Sequence, residues 1–293
     1  MKKVPRLIRA AMERAGVEGA DRVSSGVDVV GDIAIVRLAG FSAPEKRRVA
    51  RALLEEMKNA RVVMEQEGGI EGEFRLRRLA HLAGEKRTTT VHRENGCSFR
   101  VDVEKAYFSP RLSTERLRIA KLVGPRERVL NMFAGVGPFS ILIAKVAGAR
   151  VTSCEVNEAA AELHEANDRL NKVEGLVTVV RGDAAGLPGT LRGKFDRILM
   201  PHPSEADRYL PAAIRMAKGS GTIHYYRHIL GEDEGEAAVA LRKELRGLLP
   251  AGAKFTTRRV REVGPRWVEM AADIRLTPSR GRSRARRKRA TPT

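Results

Sequence analysis

The segment VLNMFAGVGPF, residues 129–139, decides the fold of this chain. A short apolar run leads into a glycine turn, and Pro138 suits the first turn of a following helix because that position needs no backbone N–H. Glycines let a ligand approach the backbone, and free N–H groups at a helix start suit a polar or anionic group. A Gly-x-Gly turn also occurs in strand-to-helix connections that bind nothing, so the neighbouring strands must decide between these alternatives.

The strands that follow this turn also end in polar or special residues. The strand predicted over 150–156 carries Glu155 at its end, twenty residues after Gly135, where a Rossmann-like fold places the carboxylate that binds a ribose. Two further strands are Leu176–Val180, before Gly182-Asp183-Ala184, and Phe195–Met200, before Pro201-His202-Pro203. Because parallel strands end at one edge of a sheet, the pattern predicts a ligand crevice there.

The type of ligand follows from what the turn lacks. A pyrophosphate site favours a third glycine at position 140, which is Ser140, and no Gly-Lys-Ser/Thr phosphate loop is present. The pattern therefore favours a nucleoside without phosphates, and S-adenosylmethionine is the best candidate.

Composition excludes several other classes of protein. The 293 residues suit one large domain or two modest ones, and no apolar run reaches the roughly 18–20 residues that span a membrane. The start is too charged for a secretory signal, so we expect a cytoplasmic protein. Cys97 and Cys154 lie far apart and the histidines show no ligand spacing, which predicts buried thiols and no metal site.

The net charge of +19 indicates a polyanionic partner. Seven arginines and lysines between residues 280 and 289 have no acid among them, and subtracting them still leaves +12. Aromatic residues make up only 4% of the chain, so stacking platforms for single strands are scarce and phosphate contacts to a folded RNA are favoured.

The order of elements predicts an α/β protein with a smaller α+β domain in front. Residues 1–20 are predicted as an amphipathic helix, 21–112 as a small RNA-binding domain, 113–276 as a Rossmann-like domain and 277–293 as a basic disordered tail. Turns at Gly31-Asp32 and Asn95-Gly96 predict hairpins, Ser42 with Glu45 predicts a capping box, and Ser113 is expected to cap the next helix. The closing antiparallel strands complete the mostly parallel seven-stranded sheet of class I methyltransferases that use S-adenosylmethionine.

Five stretches together resemble the archaeal and eukaryotic tRNA (guanine-N1)-methyltransferases of the Trm5 family, which modify the purine beside the anticodon at tRNA position 37. They are GEFRLRRLAHLAGE (72–85), TTTVHRENGCSFRVDVEKAYFSPRLSTER (88–116), VLNMFAGVGPFSI (129–141), FDRILMPHP (195–203) and GTIHYYRH (221–228). The resemblance covers residues 21–276 and implies S-adenosylmethionine as cofactor and tRNA as partner. We expect a monomer.

The resemblance also implies roles for individual residues. Glu115 matches the general base, Arg75 the arginine that steadies the reacting guanine, and Tyr107 an aromatic lining of the site. A carboxylate can take the proton from guanine N1, and a guanidinium stabilises the charge that grows on the neighbouring carbonyl oxygen. Substrate contacts are expected at Tyr107, Arg111, Arg116 and His202, and cofactor contacts at Phe133, Ala134, Gly135, Gly137, Glu155, Asn157, Asp183, Ala184, Pro201 and Pro203. Pro201-His202-Pro203 stands where many members have Asn-Leu-Pro, which removes an asparagine side chain.

Three alternatives remain open. A TYW2-like enzyme of wyosine synthesis transfers an aminocarboxypropyl group with the same cofactor and fold, and a bifunctional member also methylates a wyosine intermediate. Glu115 with Arg75 and the Pro-x-Pro turn favour the methyl donor. An RNA-binding protein with a vestigial cofactor fold would suit the charge, but it would have no need of Glu155, Asp183 and Glu115 in one crevice.

Overall fold

The structure is a computed structural model that describes residues 6–23, 26–72, 74–231 and 233–278. The predicted tail, from residue 279 onward, lies outside the described residues, as does the start of the predicted N-terminal helix. Within the described ranges, no helix is both long and apolar enough to cross a membrane.

The N-terminal part is a four-stranded sheet covered by two helices. Strands β1 (Asp28–Val30), β2 (Ile33–Val36), β3 (Val62–Glu71) and β4 (Leu76–Gly84) lie side by side in that order, with only β2 and β3 parallel. Helices α1 (Arg6–Ala15) and α2 (Ala43–Glu56) bury their apolar faces against the sheet. The predicted capping box is confirmed, since the Ser42 backbone N–H donates to Glu45 Oε2 at 2.7 Å.

The second predicted hairpin consists of β5 (Thr89–Glu94) and β6 (Cys97–Asp102), joined at Asn95-Gly96 as expected. Both turn residues have positive φ, 47° and 73°, as a two-residue hairpin turn requires. The inner side chains Phe99 and Val101 belong to the same apolar cluster as the large sheet. On the other side, Thr90 Oγ1 donates to Asp32 Oδ1 at 2.7 Å, so the hairpin contacts both parts of the molecule.

Two asparagines attach this hairpin to helix α5 (Glu158–Asn171). The Asn167 side chain accepts from the backbone N–H of Arg100 at 2.7 Å and donates to its carbonyl at 3.0 Å. Asn171 does the same with Ser98, at 2.9 and 2.7 Å. The amides therefore occupy the hydrogen-bonding positions that a further strand would take on β6. Asn167 also donates to the Val136 carbonyl at 3.0 Å and so links the hairpin to the glycine turn.

The large sheet confirms the predicted fold. It contains β7 (Arg128–Asn131), β8 (Arg150–Glu155), β9 (Val177–Arg181), β10 (Phe195–Met200), β11 (Ala217–Leu230), β12 (Lys254–Gly264) and β13 (Trp267–Arg275), in the spatial order β12-β13-β11-β10-β7-β8-β9. Strands β9, β8, β7, β10 and β11 are parallel, and β13 alone runs antiparallel to its two neighbours, β11 and β12. Helices α4 (Pro138–Ala147), α6 (Leu187–Thr190), α7 (Ala206–Met216) and α8 (Glu234–Leu248) complete the layers with α5.

Helix α3 (Ser113–Leu122) leads into this sheet, and its start differs from the expectation. A short 3₁₀ turn, Pro110–Leu112, precedes the helix, so Leu112 takes the N-cap position and makes no side-chain cap. Ser113 is the first helical residue, and its Oγ accepts from Asn95 Nδ2 at 3.0 Å instead. The prediction that Ser113 caps the helix is wrong because the helical path begins before it.

Candidate active site

A cavity of about 1420 Å³ opens at the carboxyl ends of β7, β8, β9 and β10. This is the edge at which open α/β sheets bind ligands. The cavity extends from there to the N-terminal part of the molecule, because Asp28 of β1 also lines it. Predicted cofactor residues that line it are Phe133, Ala134, Gly135, Glu155, Asn157, Asp183, Ala184 and Pro201. These residues form what we call the cofactor end.

The two glycines of the turn at 134–137 are required for different reasons, one at the ligand cavity and one in the packing beneath it. Gly135 and Gly137 have φ of 54° and 90°, which side chains rarely adopt. A Cβ on Gly137 would lie 2.2 Å from Cδ2 of His164 on α5. Gly137 is not among the residues that line the cavity, so its glycine is required by the buried imidazole beneath the turn.

Glu155 lies at the end of β8, as predicted, and main-chain donors hold its carboxylate. The N–H of Gly135 donates to Oε2 at 2.6 Å and the N–H of Asn157 to Oε1 at 2.9 Å. Burial raises the pKa of Glu155, although these backbone hydrogen bonds oppose the rise. A carboxylate has about four acceptor sites, so two N–H groups leave capacity for a pair of ligand hydroxyls.

Asp183 follows β9 and is exposed at the other side of the cofactor end. Its Oδ1 accepts the N–H of Ala185 at 2.9 Å. Burial, followed by the Asp183 carboxylate, raises the pKa of Tyr209. The Tyr209 ring meets Phe133 edge-on, with centroids 4.9 Å apart, which supplies an apolar wall beside the acids.

The divergent turn after β10 places an imidazole in the cavity. The His202 ring lies 5.0 Å from Phe133, and within the described ranges its Nδ1 has no hydrogen-bond partner. Burial, followed by the positive charge of Arg75, lowers the pKa of His202, so the ring is neutral at pH 7. Pro201 lines the cavity, whereas Pro203 is buried behind it and its carbonyl accepts the N–H of His228 at 3.1 Å.

The opposite end of the cavity, which we call the substrate end, brings together Arg75, Tyr107, Ser204 and Arg261. Arg75 Nη1 donates to Ser204 Oγ at 2.5 Å, and the Arg75 guanidinium lies 5.2 Å from the centroid of the Tyr107 ring. Arg261 Nη2 lies 3.5 Å from Tyr107 Oη, while Arg261 Nε donates to the buried Glu269 at 2.6 Å. Arg75 and Tyr107, which were predicted as separate site residues, therefore lie in contact, and Arg261 adds a second guanidinium.

Glu115 is not among the residues that line the cavity. It is 4% exposed, and its carboxylate accepts Tyr226 Oη at 2.8 Å and two hydrogen bonds from Arg118 at 2.7 and 2.9 Å. Arg118 also donates to Asp273, and burial followed by Glu115 raises the pKa of Tyr226 well above its ordinary value. The structure thus places Glu115 in a buried hydrogen-bond network outside the cavity lining.

Arg116 and Arg111, two predicted substrate contacts, line the cavity, and each also binds a carboxylate of the protein. Arg116 is 2% exposed, and its guanidinium donates to both carboxylate oxygens of Glu94 at 2.5 and 2.6 Å. This pairing ties α3 to β5, and the contact of Arg116 with substrate stays a prediction. Arg111 is exposed at the cavity. Its side chain donates to Asp28 Oδ1 at 2.7 Å, which ties the 3₁₀ turn before α3 to β1.

Sequence reasoning missed Arg261, Ser204 and His164. Arg261 lies in a strand with several arginines, and only the position of Glu269 on the paired strand distinguishes it from the others.

Both cysteines are buried and unpaired, as predicted. Over the described residues, no group of three or more His, Cys, Asp or Glu could hold a metal ion.

Comparison with known proteins gives a consistent result for both parts of the chain. The family profile described as TRM5/TYW2 methyltransferase domain matches residues 90–246, and TYW2 N-terminal domain matches residues 8–88. The tRNA (guanine(37)-N(1))-methyltransferase Trm5b of Pyrococcus abyssi is 39% identical over 251 residues, which are 85% of this chain and 74% of that protein.

One further relative is named for a different reaction, and one solved structure is a complex with tRNA. The tRNA(Phe) (4-demethylwyosine(37)-C(7)) aminocarboxypropyltransferase of Pyrococcus horikoshii is 34% identical over 200 residues, or 68% of this chain and 70% of that protein. The solved complex of aTrm5 with tRNALeu superposes with a TM-score of 0.80 at 32% identity, covering 94% of this chain and 80% of that one. These matches cover most of the chain, and the chain belongs to the TRM5/TYW2 methyltransferase family.

Proposed function

We propose that this protein is an S-adenosylmethionine-dependent tRNA (guanine-N1)-methyltransferase that acts on guanosine 37. The observation that carries the proposal is that Arg75, Tyr107 and the turn at 201–203, from three distant segments, meet in the cavity that also holds Glu155 and Asp183. The similarity to the Pyrococcus abyssi methyltransferase and to the aTrm5–tRNALeu complex supports the reaction and the substrate.

The residues of the cofactor end suit S-adenosylmethionine. Glu155 is fixed by two main-chain donors and keeps acceptor capacity for ribose hydroxyls, and Asp183 offers a second carboxylate beside the Phe133–Tyr209 wall. The absence of a phosphate-binding lysine in the turn fits a nucleoside without phosphates. When bound, S-adenosylmethionine supplies an electrophilic methyl group on a sulfonium.

At the substrate end, Arg75 would bind the carbonyl oxygen of guanine. Guanine N1 must lose its proton to become a nucleophile, and negative charge then grows on the adjacent carbonyl oxygen. A guanidinium fixed by Ser204 and the Tyr107 ring is positioned in advance to stabilise that charge. Tyr107, held in turn by Arg261, would provide the flat surface against which the base is oriented.

The proton on guanine N1 has two candidate acceptors. The resemblance assigns Glu115, whose carboxylate is bound by Tyr226 and Arg118 in this structure and would have to exchange a partner to reach the base. His202 lines the cavity, and its pKa is lowered, chiefly by burial, which favours the neutral ring; its Nδ1 is buried, and within the described residues it has no hydrogen-bond partner. Catalytic hydrogen bonds often form only when the substrate is bound, so Glu115 stays the predicted acceptor and His202 is its competitor.

The aminocarboxypropyl transfer of the Pyrococcus horikoshii relative is the second candidate function, because that protein is 34% identical over 68% of this chain. Transfer of that group to a wyosine carbon requires no loss of the guanine N1 proton. Both reactions release a proton from the base, so the argument for methyl transfer depends on Arg75, which is fixed where it can stabilise the charge beside guanine N1, and on the 39% identity to the Pyrococcus abyssi methyltransferase.

Mass spectrometry of nucleosides tests the proposal. Unmodified tRNA with guanosine 37 is incubated with the protein and S-adenosylmethionine, and 1-methylguanosine is expected as the product. A matched tRNA with adenosine 37 serves as the control and should remain unmodified. An aminocarboxypropyl product on a wyosine precursor, without 1-methylguanosine on the first tRNA, would assign the second function. A monomeric state and a cytoplasmic location stay predictions.

A further inference from the structure

Four of the eleven exposed large apolar side chains among the described residues line the cavity. Among the described residues, two large aromatic side chains are exposed, Phe74 at 41% and Trp267 at 44%, and both line the cavity. The exposed Val156 and Val263 line it too. Single exposed apolar residues are ordinary on a protein surface, but a cluster at the mouth of a binding cavity marks a contact surface.

The two rings come from hairpins that are far apart in the sequence. Phe74 lies in the turn between β3 and β4, and Trp267 opens β13 after the turn from β12. Each ring has an arginine of the cavity close by in the sequence, Arg75 beside Phe74 and Arg261 on the strand paired with β13. Arg208, which is also exposed, lies on the same rim.

Aromatic faces interspersed with guanidinium groups are the usual surface for unpaired nucleotides. Base faces stack on Phe and Trp rings without regard to sequence, while arginines contact the phosphates. An enzyme that modifies one base must take it out of its stack, and the bases on either side then lose a neighbour. A ring at the cavity mouth restores that stacking partner, which offsets part of the cost of unstacking.

We propose that Phe74 and Trp267 stack on the unpaired nucleobases that flank the target nucleotide in the RNA substrate. This inference rests on the proposed function, since it assumes that an RNA loop delivers one base to the cavity. It also revises the expectation from composition, because the few aromatic residues include two at the position where stacking is useful.

Trp267 is the only tryptophan in the chain, so the tryptophan fluorescence of the protein reports on the surroundings of this one side chain. Its fluorescence is followed while the full-length protein is titrated with an RNA hairpin that carries the anticodon loop with guanosine at the target position. A blunt RNA duplex of equal length is the control for charge. Stacking predicts quenching by the hairpin and none by the duplex at the same fractional saturation. An unchanged emission at saturating hairpin would overturn the proposal.

Variants measure the contribution of each ring. Phe74→Ala and Trp267→Ala are each expected to weaken binding of a labelled hairpin by roughly 5- to 150-fold, the range for loss of one stacked base, with duplex binding unchanged. Trp267→Phe keeps a ring and should lie close to wild type. Leu170→Ala removes an equally exposed apolar side chain, 49% accessible, on α5 outside the cavity and should have no effect.

The outcomes separate this inference from the proposed function. If wild-type protein methylates the hairpin but both alanine variants bind it normally, the stacking proposal fails and the function stands. Normal RNA binding together with lost self-association of Trp267→Ala in sedimentation would assign the rings to a dimer interface, which also overturns it. If wild-type protein neither binds nor methylates full-length tRNA, the proposed function itself fails and this inference fails with it.

Discussion

The cofactor end of the cavity is organised by main-chain hydrogen bonds, whereas the substrate end is organised by side-chain contacts between distant segments. Glu155 is held by the N–H groups of Gly135 and Asn157, both close to the ends of adjacent parallel strands. Arg75, by contrast, depends on Ser204, 129 residues away along the chain. The first arrangement follows from the strand-turn-helix unit itself, and the second requires the complete fold.

This difference indicates which end can vary within the family. Main-chain contacts persist when side chains change, so a shared cofactor can be bound by many sequences. Side-chain contacts such as Arg75–Ser204 and Arg261–Tyr107 change with single substitutions. We therefore expect differences in the transferred group and in the target base to reside at the substrate end.

The largest expected effect tests which group takes the proton. Glu115→Gln should lower the single-turnover rate by roughly 10²–10⁴ while cofactor and tRNA binding stay nearly intact. The fold should survive because Arg118 keeps Asp273 as a partner.

Two further variants sharpen that result. Glu127→Gln makes the same change in another carboxylate–arginine pair, with Arg197, and should leave the rate unchanged. If Glu115→Gln is as fast as wild type and His202→Gln is slow, His202 is the acceptor. Because its pKa is lowered, the wild-type rate would then fall only as the pH drops below the usual histidine range.

The next largest effect concerns the packing beneath the cofactor end. Gly137→Ala should reduce the free energy of unfolding by about 2–4 kcal/mol, since it combines backbone strain with a clash against His164. Gly148→Ala is the matched control, because Gly148 also has positive φ but nothing within 4 Å of the added Cβ. Gly148→Ala should therefore lower the free energy of unfolding, measured by urea denaturation, by only about 1 kcal/mol, which is the cost of backbone strain alone. Equal losses in the two variants would show that His164 is not the constraint.

A smaller effect is expected at the ribose contact. Glu155→Ala should weaken S-adenosylmethionine binding by about 1.5–3 kcal/mol in calorimetry, the value of charge-assisted hydrogen bonds. Glu158→Ala, on an exposed glutamate at the start of α5, is the control and should bind the cofactor as wild type does. If Glu155→Ala binds S-adenosylmethionine with unchanged affinity, Glu155 does not contact the cofactor. The main-chain hydrogen bonds to Glu155 would then not prepare this end of the cavity for the cofactor.

The smallest effect concerns selectivity. Deleting residues 277–293 removes seven basic side chains, so RNA binding should depend less steeply on salt concentration. The preference for guanosine over adenosine at position 37 should remain, because the substrate end is intact. If the truncated protein loses that preference, the tail contributes to selectivity, and the two ends of the cavity do not account for it alone.

The sequence predicted the cofactor end well because its residues follow strands whose ends must coincide. Glu155, Asp183 and the turn at 201–203 needed only the order of strands to be placed in one crevice. The placement of Glu115 could not be predicted, since the first turn of α3 presents it to Tyr226 and Arg118 rather than to the cavity. The ion pair of Arg116 could not be predicted either, because only the fold shows that Glu94 lies within reach of its guanidinium.

The way in which Asn167 and Asn171 cover strand β6 also bears on aggregation. An uncovered strand edge presents a row of N–H and C=O groups that can pair with another chain. In this protein two amides of α5 occupy those groups at Ser98 and Arg100. The hairpin lies about 70 residues before these asparagines in the chain, so during synthesis its edge is uncovered until α5 has been made and has docked. The newly made chain therefore passes through an interval in which β6 is open to pairing with a neighbouring copy.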